Sequence, residues 1–99
     1  MHACEAETSM MMALEPNLVV NSLLSEAKGP MKLDFLTAGK GSYRWRSLTH
    51  VTSNGVIGDP SQSSSAKGEQ LLREASQAIF ELIYNPETFK VQSDLRLPE

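Results

Sequence analysis

His2, Cys4, Glu5 and Glu7 bring an imidazole, a thiol and two carboxylates close together, directly before the run Met10-Met11-Met12-Ala13-Leu14-Glu15-Pro16. His2 with Glu7 has the makings of a proton-transfer pair. A carboxylate beside an imidazole favours its protonated form and fixes its orientation, as a general acid working near neutral pH requires. Periodicity alone favours a plainer account, in which His2 is a disordered N-terminal residue and Glu7 decorates a helix start. His2-Ala3-Cys4 can also be read as the beginning of a metal site. The nitrogen and sulfur ligands of the chain are only His2, His50 and Cys4, with no repeated spacing. A self-contained metal site is therefore not expected, although carboxylates could contribute to a shared one.

Two further segments carry weaker signals. Gly39-Lys40-Gly41-Ser42 faintly resembles a phosphate loop, but a phosphate loop has a longer glycine frame between a strand and a helix. An ordinary loop is expected. Tyr43-Arg44-Trp45-Arg46 mixes aromatics with cations, as single-strand nucleic-acid binders do. Extended, it would put Tyr43 and Trp45 on one face and the arginines on the other, the pattern of a half-buried strand. The methionine run reads as core packing rather than as a methionine-lined binding surface.

The elements that must position these residues are few. Residues 5–14 hold good helix formers, with Glu5 and Glu7 in the first turn, where they complement the positive end of the helix dipole. Pro16 ends that helix by biasing its neighbour away from helical angles. Residues 17–26 are apolar and fit either a further helical turn or a short extended piece. Residues 27–42, with Gly29-Pro30 and Gly39-Lys40-Gly41, read mostly as loop. Residues 43–52 favour a strand, and Asn54-Gly55 and Gly58-Asp59-Pro60 are turn signals. The last serines of Ser61-Gln62-Ser63-Ser64-Ser65 are suited to cap a helix over 66–84. There Leu71, Ala75, Ile79 and Leu82 or Ile83 recur at helical spacing, and Glu69 can pair with Arg73. Asn85-Pro86 stops it.

The chain has 99 residues, enough for one small domain, a net charge of −3 and a single cysteine. An acidic balance argues against nucleic acid or an anionic membrane as partner. A lone cysteine forms no intrachain disulfide and suits a reducing cytoplasm. Neither a signal peptide nor a membrane-spanning run is recognised, so a soluble, cytoplasmic chain is expected. Two helices and one or two strands leave the long helix few surfaces to pack on, so its apolar stripe needs another layer.

Two separated segments coincide with one pattern. His2-Ala3-x-x-x-Glu7-Thr8-Ser9-x-Met11-x-Ala13-Leu14-x-Pro16-x-Leu18-Val19 closely resembles the second half of the creatininase family of metal-dependent amidohydrolases. Ser53-Asn54-Gly55-Val56-Ile57-Gly58-Asp59-Pro60, then Lys67-Gly68-Glu69 and a long helix, resembles the ending of that family. The resemblance implies an α/β fold, a three-layer α/β/α arrangement present here only in part, without its N-terminal strands and helices. Residues 1–85 would be the C-terminal part of that domain and 86–99 a tail. It implies a zinc or manganese pair in the full-length family, a small and often cyclic amide substrate, and frequent assembly into hexamers. By resemblance His2 passes a proton to the leaving nitrogen and Glu7 orients it.

The departures are equally informative. The family's metal ligands lie in a Glu-x-His segment followed by an Asp, and in an Asn-Gly-His-x-Glu-like segment, and this sequence contains neither. Cys4 stands where a glycine is common, and Ala66 where glutamate often precedes Lys-Gly. No metal ligand is assigned and no cofactor is expected in this chain alone. The expectation is a C-terminal fragment of a creatininase-family amidohydrolase, inactive by itself. The alternatives are an accessory or split subunit that completes a metal site with a partner chain, and a non-enzymatic interaction module; assembly as a homo-oligomer or with a partner chain is left open.

Overall fold

In the computed structural model, residues 2–31, 46–93 and 96 are described. Their regular structure is an α-helix over Glu5–Leu14 (α1), one over Ser65–Tyr84 (α2), and single 3-10 turns at Pro16–Leu18, Asn21–Leu23 and Leu48–His50. Both helices fall where the composition puts them. Glu15 leaves the helical region at φ −141° before Pro16, and its N–H donates back to the Met11 carbonyl at 2.8 Å. Ser64 is the N-cap of α2, its hydroxyl accepting the Lys67 N–H at 3.3 Å. At the other end Pro86 holds Asn85 extended, at φ −76° and ψ 119°. The apolar stretch after α1 resolves into two 3-10 turns rather than a strand.

A sheet layer is not seen among the described residues. Their only β pairing is an isolated antiparallel bridge between His2 and Ile57. The strand expected over 43–52 is corrected for its described part. Residues 46 and 47 are irregular, and Leu48–His50 makes a 3-10 turn, with His50 N–H donating to Ser47 carbonyl and Val51 N–H to Leu48 carbonyl, both at 2.9 Å. Strand propensity needs a neighbouring edge to pair with, and local bonds win where none is offered. Residues 43–45, and with them Tyr43 and Trp45, lie outside the described residues, as does the Gly39-Lys40-Gly41-Ser42 segment. The Glu69–Arg73 ion pair is also not made; α2 instead ties Gln70 to Glu74 and Gln77 to Glu81, each at 2.8 Å.

α1 and α2 meet at a backbone contact. Gly68 is buried, and a Cβ on it would lie 1.9 Å from the Ser9 carbonyl oxygen. Three consecutive serines stitch the crossing. Ser63 Oγ donates to the Glu5 carbonyl, Ser64 N–H to the Ser9 hydroxyl, and Ser65 Oγ to the Met12 carbonyl, at 3.2, 3.1 and 3.2 Å. Glu5, Ser9 and Met12 are the i, i+4 and i+7 positions of one helix face, so the acceptors line up as a row. Cys4, Met12, Val56 and Ile57 form the small apolar core around this crossing, and Ser9 is fully buried within it. Of the methionine run, only Met12 is buried, while Met11 stays exposed.

Beyond the crossing, α2 buries little. Ile79, Leu82 and Ile83 are each more than half exposed, and Phe80 stacks on Tyr84, ring centroids 4.4 Å apart.

Gly68→Ala tests the contact. In an ordinary helix interior that change stabilises by about 1 kcal/mol, because alanine is the better helix former. Here the added methyl meets backbone that cannot rotate away, and overpacking of that kind costs about 1–3 kcal/mol. The steric term is expected to win, lowering the urea-unfolding free energy by about 2 kcal/mol; a stabilised variant would show that the helices do not approach this closely.

Candidate functional site

His2 reaches its position by backbone pairing. Its N–H donates to the Ile57 carbonyl at 3.1 Å and its carbonyl accepts from Ile57 N–H at 2.7 Å. Ile57 is itself fixed by the turn before it. Gly55 takes φ +83°, and the Asn54 side chain accepts from Val56 N–H at 3.1 Å while donating to the Lys28 carbonyl at 3.0 Å. Gly29 lies so close that a Cβ would stand 1.8 Å from the Val56 carbonyl oxygen, and its N–H donates to the Gly58 carbonyl at 3.0 Å. The turn residues singled out in the sequence are thus the platform on which His2 is held.

Glu7 comes from the first turn of α1. Its Oε2 lies 3.9 Å from His2 Nδ1, inside ion-pair range but too long for a hydrogen bond. The same oxygen accepts the Ala3 N–H. Thr8 Oγ1 donates to the Ala3 carbonyl at 3.4 Å, and Ala3 has the left-handed φ of +49°. His2, Glu7, Thr8, Met11, Leu18 and Val20 line one shallow recess of about 380 Å³. Both expected site residues are therefore brought together, half exposed, at a polar end facing an apolar wall.

The other candidate ligands go elsewhere. Cys4 is buried and faces a second recess of about 530 Å³, on another face of α1, shared with Glu5, Asp59 and Lys67. His50 sits in its 3-10 turn beside a separate shallow recess. Glu5 is paired with Lys67 at 2.5 Å, and Asp59 with Lys28 at 3.0 Å. Among the described residues no group of three or more histidine, cysteine, aspartate or glutamate side chains converges as a metal site would require. Glu7 already accepts a backbone N–H, and Glu5 and Asp59 are paired with lysines.

The family model described as creatinine amidohydrolase, creatininase, matches residues 1–83. The chain belongs to the creatininase family. No curated protein and no solved structure matches it. Creatininase-family proteins are generally metal-dependent. No helix of the described residues is long and apolar enough to cross a membrane.

The sequence singled out His2 and Glu7, which the structure brings together, but did not single out Thr8 and Ser9 as structural participants. Gly68 inside a helical pattern was the available signal for the Ser9 contact, because an isolated helical glycine often marks a close approach. Nothing announces the left-handed Ala3, since alanine has no preference for that region.

Asp59 supplies a pH test of the platform. The Ser61 hydroxyl and N–H, the latter at 2.8 Å, together with Lys28, hold its carboxyl down from 3.8 to about 2. A carboxyl depressed on folding contributes stability that is fully present above 3.8 and is lost as pH falls toward about 2. Thermal melts across that window should show a loss in the wild type that Asp59→Asn reduces. Identical acid profiles would mean that Asp59 is not held in this way.

Proposed function

We propose that this chain supplies the proton-handling part of a creatininase-type hydrolysis of a carbon–nitrogen amide bond in a small, often cyclic substrate. The observation that carries the reading is the recess in which His2 and Glu7 meet, within a chain of this family. Hydrolysis places the water oxygen on the carbonyl carbon and requires a proton at the nitrogen that departs. His2, half exposed at the polar end of the recess, is the group suited to deliver that proton, and Glu7 orients it. Met11, Leu18 and Val20 form an apolar wall against which the non-reacting part of a small substrate can lie.

The chain acts as the C-terminal part of a creatininase-like domain and has no turnover alone, because its sequence lacks the Glu-x-His and Asn-Gly-His-x-Glu-like segments that carry the family's metal ligands. The purified chain, supplied with zinc or manganese, is expected not to hydrolyse creatinine or other cyclic amides. Metal-dependent turnover by the chain itself would overturn this. Where a second polypeptide bearing Glu-x-His and Asn-Gly-His-x-Glu-like segments restores turnover, His2→Gln should lower kcat by about a hundredfold or more, the usual worth of a positioned general acid.

A second reading, as an accessory or split subunit, is favoured by the exposed apolar side of α2 at Ile79, Leu82 and Ile83. It predicts co-purification with a ligand-bearing partner. A binding module without chemistry would instead keep its partner after His2→Ala.

A further inference from the structure

We propose that Glu7 and Thr8 form a clamp on the Ala3 peptide, making them positioning residues that aim His2 through the backbone rather than by contact with its ring. The inference rests on the reading of His2 as the proton-delivering group and says how that group is held.

Ala3 links His2 to the N-cap residue Cys4, and its φ of +49° lies in the region that an L side chain avoids. Such a conformation persists only where its surroundings over-determine it. Both polar groups of Ala3 are held by side chains of α1: the N–H by Glu7 Oε2 and the carbonyl by Thr8 Oγ1 at 3.4 Å. A glutamate at the third helical position that reaches back to a backbone N–H is the acceptor half of a capping box. Here it grips the residue before the cap, and the cap residue Cys4 contributes no side-chain bond of its own.

The geometry separates this role from direct contact with the ring. Glu7 Oε2 is hydrogen-bonded to Ala3 N–H but stands 3.9 Å from His2 Nδ1, so its directional bond is spent on the peptide. On the far side of Ala3, His2 is tied to Ile57 by bonds in both directions. The imidazole therefore leaves a backbone fixed at its own residue and at the next one. Three attachments set where it points: the Ile57 bridge, Glu7 and Thr8. If the clamp opens, Ala3 relaxes to negative φ and the chain leaves the bridge at a different angle.

The test uses backbone NMR of the full chain, reading amide exchange at Ala3 and Ile57 and the chemical-shift signature of positive φ at Ala3. Glu7→Ala should raise Ala3 exchange by about tenfold, the scale expected when a hydrogen bond to a charged acceptor is lost, and should erase the positive-φ signature. Glu7→Gln keeps an acceptor oxygen without the charge and should retain the positive-φ signature and part of the Ala3 protection. Thr8→Val removes the donor to the carbonyl and should weaken the signature while α2 amides stay protected. Adding Ala3→Gly to Glu7→Ala should restore Ile57 protection, since glycine accepts positive φ without help.

Unchanged Ala3 exchange in Glu7→Ala would overturn the clamp, as would loss in Glu7→Gln equal to that in Glu7→Ala. Should Glu7→Ala fail to fold, Glu7→Gln and Thr8→Val still decide the matter. These readouts do not involve turnover. A clamp that passes while His2→Gln leaves a reconstituted activity intact would refute the functional reading and leave the clamp standing.

Discussion

The close approach of two backbones, Gly68 of α2 against Ser9 of α1, is the constraint on which the rest depends. With so small an apolar core among the described residues, the crossing gains little from their side-chain burial and relies on directional contacts. Ser63, Ser64 and Ser65 supply them, each bond worth on the order of 1 kcal/mol net. A hydroxyl or N–H bond of this kind reaches full length only if the helices touch. A side chain at position 68 would hold them apart and weaken all three together. The glycine is therefore less a local helix feature than the condition for the serine row.

What the crossing secures is the orientation of α1, and with it the end of α1 that carries the site. Glu5 at that end is bound twice to the α2 side, through its carbonyl to Ser63 and its carboxylate to Lys67. Lys67 also donates to the Gln62 carbonyl at 2.7 Å, so one ammonium closes the loop before α2 onto the first turn of α1. The opposite wall is the turn from Asn54 to Pro60, held by Lys28 and Gly29. His2 bridges the two through Ile57 and Ala3. The charged groups follow the same division. Glu5 and Asp59 are satisfied by lysines and serve the scaffold, which leaves Glu7 as the carboxylate beside the histidine.

Much of this was legible in the residues. Helix formers bounded by Pro16 and by Asn85-Pro86 set both helices, and the serine run announced its cap. Asn54-Gly55 marked the turn, and His2 and Glu7, singled out as a candidate pair, do lie within 3.9 Å of each other. The failures have physical causes. Thr49, Val51 and Thr52 carry strand propensity, but propensity is a fit to a neighbouring strand, and around Leu48–His50 local bonds took its place. The stripe of Leu71, Ile79 and Leu82, by contrast, gave both the helix and its shortage of surfaces to pack on, and Ile79 and Leu82 are more than half exposed. Thr8 and Ala3 were invisible as a pair because their roles arise from a backbone angle that neither residue type prefers.

The most direct measurement is a nuclear Overhauser spectrum of the uniformly labelled full chain, read for two sets of contacts at once. The account predicts cross-peaks between Gly68 and Ser9 protons together with cross-strand peaks between His2 and Ile57, because the helix crossing and the site are one construction. Two well-formed helices with neither set of cross-peaks, or a His2–Ile57 bridge that persists where Gly68 and Ser9 do not touch, would contradict it.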